Sequence, residues 1–171
     1  MPALPPGGIL PIKGNPLCTR VYMTPGESYT AGQLLVQVGN GPSVALMTPA
    51  TLAVTPTAVF VSPGVVEGHA SKSLDVAVYR TDNPQIIWAA QIVSTALTAT
   101  DVQALTNSVC DLIPAPTGQA LLDTSVSTNG HCRLIELNAD YLGNQGTPAV
   151  WQTGTAQWIV NFKFTPTVTK N

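Results

Sequence analysis

The sequence contains few charged residues, and this shortage limits what the protein can bind. Asp, Glu, Lys and Arg make up 9% of its 171 residues, against about 25% in an ordinary soluble domain. The seven lysines and arginines are scattered singly and the net charge is −2. A surface that follows nucleic-acid phosphates needs clustered cations. We therefore expect no nucleic-acid partner.

Long apolar runs and regularly spaced cysteines are also missing. The longest apolar stretches, such as residues 86–90, are far shorter than the roughly 20 residues that a membrane helix needs, so we expect no membrane partner. The N-terminus has no basic start and is interrupted by prolines, unlike a secretory signal. Cys18, Cys110 and Cys132 are odd in number and irregularly spaced, which provides no disulfide framework and favours folding in the cytoplasm.

Motifs for catalysis or metal binding do not occur in the sequence either. His131 adjoins Cys132, and Cys110 lies on a neighbouring predicted strand, but structural zinc usually takes closely spaced pairs of ligands. No nucleophile elbow or phosphate-binding loop is present, and the nine acids form no paired motif. A carboxylate pair assembled by the fold stays open. The prediction is a protein that is not an enzyme and has no catalytic residue, metal or cofactor.

Threonine takes the place of the missing charged residues, with 21 copies. A surface rich in Thr, Ser, Asn and Gln binds water but forms few ion pairs. It can be a neutral exposed surface or a surface that partners cover. Weak electrostatic self-repulsion favours the covered surface.

Residues 1–17 contain five prolines and three glycines. Proline removes an amide donor and disfavours helix in the residue before it, so we expect no regular element there. Yet large aliphatic residues, which a disordered tail rarely carries, alternate with the prolines. Together with Trp151, they are our predicted interaction residues: Leu4, Ile9, Leu10, Ile12 and Leu17. The segment either packs on its own domain or lies as an arm on a neighbouring subunit.

From Arg20 onwards, short β-rich runs alternate with turn signals. Two such runs flank residues 39–42, Gly-Asn-Gly-Pro, as in a hairpin. Residues 86–93 are apolar on both faces, which is typical of a central strand. In the last run, Trp158 and Phe162 are predicted to face inward and Asn161 outward. About ten such strands predict a compact all-β fold, either a β-barrel or a β-sandwich.

One short helix is predicted near residues 98–106. Thr98 can cap its first turn, and Asp101 stands where the acid of a capping box reaches back. Leu97 and Val102 would form the hydrophobic staple across this cap. The expected organisation is an extended arm at 1–19, a single β domain at 20–165 and a tail at 166–171.

Three segments taken together resemble the capsid decoration (cement) proteins of tailed bacteriophages. They are QIIWAAQIVSTALTATDVQALTNSVCDLI, TGQALLDTSVSTNGHCRLIEL and QWIVNFKF, and they span residues 85–164, about half of the chain. The matching positions are 98–102, 117–118, 123–125, 132–137 and 158–164. Gln103 and Ala104 replace a glycine that is usual in that family, so the helix can contact something different here.

The resemblance implies a structural virion protein. Such a protein is made in the host cytoplasm and lies on the outer surface of the assembled capsid, where it stabilises neighbouring subunits of the major capsid protein. The resemblance also implies a homo-oligomer, a trimer. The alternative is a carbohydrate- or receptor-binding β module of a phage fibre or adhesin, which would expose aromatic side chains in loops. Trp88 and Trp158 fall in core-like patterns, whereas Trp151 is the predicted interface anchor.

Overall fold

A computed structural model of the chain describes residues 8–48, 58–92, 98–114, 120–125, 127–138, 149–150 and 156–165. These residues form an all-β fold with one short helix, α1 (Ala99–Ala104), as the sequence predicts. The strands are β1 (Leu10–Lys13), β2 (Cys18–Met23), β3 (Leu34–Gln37), β4 (Ser43–Leu46), β5 (Val59–Val61), β6 (Asp75–Arg80), β7 (Ile87–Gln91), β8 (Val109–Pro114), β9 (Ala120–Asp123), β10 (Cys132–Leu137), β11 (Ala149–Val150), β12 (Ala156–Gln157) and β13 (Ile159–Phe164).

The strands form a barrel and an open sheet. The barrel closes in the order β2-β4-β3-β5-β6, and the six-stranded sheet has the order β1-β7-β13-β10-β8-β9. All neighbours in the six-stranded sheet are antiparallel. β11 and β12 pair separately. Sequence patterns left barrel and sandwich open, and the described chain combines a closed barrel with an open sheet.

Alternating side chains of β3 connect the two parts. Leu35 faces the inside of the barrel, where it belongs to a cluster with Val21 and Val44. Leu34 and Val36 face the other way and belong to the larger cluster around Trp88. Since successive side chains of a strand point to opposite faces, one strand supplies both cores. The barrel wall therefore packs against the six-stranded sheet.

Part of the N-terminal segment is a regular element. Leu10–Lys13 form β1, an edge strand that pairs with β7 through Leu10 opposite Ala89. The expectation of no regular element is therefore wrong for these residues, because Pro11 can occupy an edge strand, where a missing amide donor is tolerated. β2 also begins at Cys18, so it crosses the boundary that we expected between residues 19 and 20. Residues 1–7 and 166–171 lie outside the described residues.

Several other local predictions are confirmed. β3 and β4 form the hairpin around the Gly-Asn-Gly-Pro turn, and β7 has strand neighbours on both sides. Thr98 and Asp101 form the capping box, in which Asp101 N–H donates to Thr98 Oγ1 and Thr98 N–H donates to Asp101 Oδ2. Val102 is buried, whereas Leu97, its predicted staple partner, lies outside the described residues.

The predicted outward orientation of Asn161 is corrected by the structure. Its side chain is buried, and it accepts a hydrogen bond of 2.7 Å from Asn138 Nδ2. It also donates one of 2.9 Å to Glu136 Oε1. Side-chain alternation places Asn161 on the outer face of its strand. Glu136 and Asn138, which are distant in sequence, cover that face and bury the amide.

Candidate functional site

The predicted interaction residues of the N-terminal segment divide into buried and exposed positions. Ile9 is fully buried in the chain's own core, and its N–H donates to the Gly32 carbonyl. Ile9 is therefore corrected to a core residue. Leu10 is half-buried, whereas Ile12 and Leu17 are 39% and 59% exposed. Leu4 and Trp151 lie outside the described residues.

The barrel wall contains an opening between β2 and β4. These two strands are parallel and pair through only two positions, Tyr22 with Ser43 and Met23 with Val44. The earlier residues of β2 pair with β6 on one side. On the other side, none of the residues that the structure describes forms a strand partner for them. We call this opening, between residues 18–21 and the β3–β4 hairpin, the slot.

Backbone groups of β2 point into the slot. Arg80 N–H donates to the Leu17 carbonyl, and Met23 N–H donates to the Leu74 carbonyl. In an antiparallel pair these bonds alternate, so residues 19 and 21 also bond to β6. The backbone groups of Cys18, Arg20 and Tyr22 then point to the opposite side. Tyr22 N–H donates there to the Pro42 carbonyl. The backbone N–H and C=O groups of Cys18 and Arg20 point into the slot.

A cavity of about 260 Å³ opens through the slot into the barrel. Apolar side chains of the barrel interior form its floor, namely Val21, Val44 and Phe60. Polar and charged residues form most of its rim, together with Pro42: Thr19, Arg20, Gln37 and Arg80. Gln37 is held in place because its Nε2 donates a 2.8 Å hydrogen bond to the Gly41 carbonyl. The site is thus an apolar cavity with hydrogen-bond donors at its rim.

Carboxylates orient both rim arginines. Arg20 Nε lies 2.9 Å from both Asp75 oxygens, and Arg80 bonds to both oxygens of Asp82 through Nε and Nη2. Hydrogen bonding to its carboxylate partner raises the pKa of each guanidinium. Each guanidinium carries five N–H donors, so donors remain beyond those that the carboxylates take.

Three residues with exposed apolar side chains lie on the segments that border the slot or directly beside them. Leu17, Tyr22 and Val38 are 59%, 48% and 48% exposed. The Leu17 carbonyl accepts a hydrogen bond from Arg80 N–H. Tyr22 N–H donates to the Pro42 carbonyl, and Val38 N–H donates to the Ser43 carbonyl. All three residues are therefore tied by backbone hydrogen bonds to the rim or to the hairpin beside it. An apolar cavity with exposed apolar residues on the neighbouring segments is typical of a protein-binding surface.

A second polar cluster, around Asp111 and His131, has a structural role. Asp111 accepts hydrogen bonds from the backbone N–H groups of Asn129 and Gly130, which fixes the turn before β10. His131 Nδ1 accepts a 3.1 Å bond from Leu112 N–H, so Nδ1 carries no proton. Burial lowers the pKa of His131, although Asp111 nearby acts in the opposite direction.

The buried thiols beside this cluster are poorly suited to react. Cys110 and Cys132 stand opposite each other on β8 and β10. Burial raises the pKa of Cys110 to about 12 and that of Cys132 well above its usual value, so the nucleophilic thiolate is disfavoured. Within the described ranges, no three or more His, Cys, Asp or Glu residues are grouped so that they could hold a metal ion.

Sequence reasoning did not find the slot. Its rim joins residues as distant as Thr19 and Arg80, and no sequence motif connects them. The one local signal is the turn at residues 39–42, which ends just before Ser43, the first residue of β4 that pairs with β2. The pairing of β4 with β2 depends on the barrel order, which local patterns do not contain.

Comparison with known proteins does not assign this chain to a family. No family model matches it, and no curated protein or solved structure matches it significantly. In the part of the chain that the structure describes, no helix has the length and apolar character needed to cross a membrane.

Proposed function

We propose that this chain is a structural virion protein that decorates the outer surface of an assembled phage capsid. It binds across neighbouring subunits of the major capsid protein and stabilises their contacts. It acts as a homo-oligomer, a trimer by the resemblance, so that several weak contacts add up to firm attachment. It is not an enzyme, and its partners include neither nucleic acid nor membrane.

The observation that carries this proposal is the apolar surface around the slot on a molecule with little charge. Leu17, Tyr22 and Val38 expose apolar area, while charged residues make up 9% of the chain. Attachment by apolar contact and backbone hydrogen bonding suits such a surface better than attachment by charge. The all-β fold is compatible with the same role.

The alternative function, a carbohydrate- or receptor-binding module, has less support. Trp88 is fully buried and Trp158 is 4% exposed, so neither can stack on a sugar ring. Tyr22 is an exposed aromatic residue, but it lies on a strand beside the slot and not in a loop. Binding of the free protein to glycans, without any capsid, would favour this alternative.

Co-sedimentation tests the proposed function directly. The purified protein is mixed with expanded phage capsids that lack decoration, and in parallel with isolated major capsid protein. Binding to the shells and not to the isolated subunits is expected, because the site spans subunit boundaries. Retention should change little up to about 1 M salt, where the Debye length is about 3 Å. Complete release at moderate salt would contradict apolar attachment.

A matched pair of surface variants connects the attachment to this face. Leu17→Asp places a charge beside the slot and should weaken shell binding at least tenfold. Val65→Asp is the control, since Val65 is even more exposed, at 73%, and is not among the residues around the slot. Equal binding by both variants would show that another face carries the attachment.

A further inference from the structure

We propose that the slot binds an extended segment of a partner protein by strand addition to β2. The segment places one large apolar side chain in the cavity and carries an acidic residue within two positions of it. The occupant is a foreign segment and not the chain's own N-terminus. The inference goes beyond the proposed function, because it concerns a peptide site that can be tested without capsids.

The backbone of β2 can pair with an added strand. The N–H and C=O groups of Cys18 and Arg20 point away from β6 and into the slot. An extended segment laid there can pair with these groups, as a neighbouring strand does in an ordinary sheet. It would extend the line of β4 beyond Ser43, the residue at which β4 begins. The added strand would complete the barrel wall.

The cavity has room for one large apolar side chain. Its volume of about 260 Å³ exceeds the roughly 150 Å³ that holds a benzene molecule in an engineered cavity. It lies below the roughly 300–1,000 Å³ of common small-molecule pockets. A single aromatic or branched aliphatic side chain fits this size. The floor of Val21, Val44 and Phe60 provides an apolar surface for it.

The two rim arginines have N–H donors that can bind an acidic side chain. Asp75 bonds to Nε of Arg20, and the two Nη groups of Arg20 make no hydrogen bond to the residues that the structure describes. Nη1 of Arg80 is likewise without a bond to them. Side chains of an added strand alternate between the inside and the outside of the wall. An acid one or two positions from the anchor therefore reaches Arg20 outside or Arg80 inside.

Cys18 provides a reporter for the test. It is exposed at the start of β2, whereas Cys110 and Cys132 are buried, so an environment-sensitive fluorophore can be attached at Cys18 alone. A displayed library of random octapeptides is selected on the unlabelled full chain. The selected peptides are then synthesised and titrated against the labelled protein. We expect saturable fluorescence changes and a shared pattern of one large apolar residue near an acid.

Two variant pairs localise the binding. Thr19→Trp fills the mouth of the cavity and should weaken the selected peptides at least tenfold, or about 1.4 kcal/mol. Its control is Thr30→Trp, an exposed position before the start of β3 and therefore at the opposite end of the barrel. Arg20→Ala should weaken threefold or more those peptides whose acid directly neighbours the large apolar residue, and Arg133→Ala on β10 should not. Unchanged melting temperatures show that each variant is folded.

Three results would overturn the proposal. The first is a library that yields no shared pattern, or patterns without an acidic residue. The second is selected peptides that bind Thr19→Trp as tightly as they bind the parent. The third is saturable binding of a synthetic peptide of residues 1–7, which contains no acid, because the slot would then belong to the N-terminus of a second copy. Failure of capsid binding alone would leave the peptide result unaffected.

Discussion

The Ile9 N–H donates a hydrogen bond of 2.9 Å to the Gly32 carbonyl, which ties the N-terminal segment to the turn before β3. Gly32 has a φ of +80°, and a Cβ placed on it would lie 2.7 Å from Ile9 N and 2.9 Å from Gly8 Cα. Glycine at this position therefore allows two backbone segments to approach closely. Since Ile9 is also fully buried, the segment from Gly8 onwards is part of the folded unit.

Gly32→Ala should destabilise the protein through both backbone strain and a clash with the N-terminal segment. We expect a loss of more than about 2 kcal/mol in the free energy of unfolding, measured by urea denaturation. Gly39→Ala is the control, because Gly39 also has a positive φ, +64°, but its added Cβ would meet nothing within 4 Å. The control should lose about 1 kcal/mol. Equal losses would mean that the close approach is unimportant.

Ile9→Ala should cost about 2–5 kcal/mol, as expected for a large aliphatic side chain removed from a packed core. Ile12→Ala, at a position that is 39% exposed, should cost less than about 1 kcal/mol. Deletion of residues 1–13 should lower the melting temperature, because it removes Ile9 and β1 together. A truncated protein that melts like the parent would show that the segment contributes nothing to its own core.

Thr98→Ala removes the side-chain acceptor of the capping box and should cost about 1 kcal/mol of stability. Thr100→Ala, one residue inside the same helix and also exposed, should be close to neutral. Hydrogen bonds from Thr98 lower the pKa of Asp101, so Asp101→Asn should also weaken the cap. An Asp101→Asn variant with unchanged stability but no binding to capsids or peptides would instead indicate a functional carboxylate.

His131 should make the protein sensitive to mild acid. Burial lowers its pKa in the folded state below the usual 6.5, so the unfolded chain binds more protons as the pH falls. The stability that the neutral ring contributes is fully present above about pH 6.5 and is lost below it. Protonation of Nδ1 would also break its bond to Leu112 N–H.

His131→Asn tests this pH dependence, because its amide oxygen can keep the acceptor role but does not titrate. Urea unfolding between about pH 8 and about pH 5 should show a smaller loss of stability for this variant than for the parent. His69→Asn, at an exposed position, is the control and should behave like the parent. Identical acid sensitivity in all three proteins would exclude His131 as the source.

The three cysteines should react in two classes. Cys18 is exposed and should react quickly with a thiol reagent in the native protein. Cys110 and Cys132 are buried, and burial raises the pKa of both thiols, so they should react only after unfolding. Titration with and without denaturant measures this difference. Rapid reaction of a second thiol in the native protein would contradict the buried pair.

Local patterns were sufficient for the elements whose structure depends on neighbouring residues. The β3–β4 hairpin, the buried strand β7 and the capping box of α1 follow from turn residues, side-chain alternation and a three-residue cap. These signals fail where a distant part of the chain changes the environment. Pro11 joins an edge strand because β7 is there to pair with it, and Asn161 is buried because Glu136 and Asn138 bond to it.

The all-β class, the short helix and the scarcity of charge follow from the amino-acid sequence. The combination of a barrel and a sheet in one chain, the burial of Ile9 and the slot beside Arg20 emerge only when the chain is folded. Hydrogen bonds within a turn connect residues close in sequence, whereas the order of the strands depends on pairing between distant segments. The slot exists because β4 meets β2 only at Tyr22 and Met23, a register set by closure of the whole barrel.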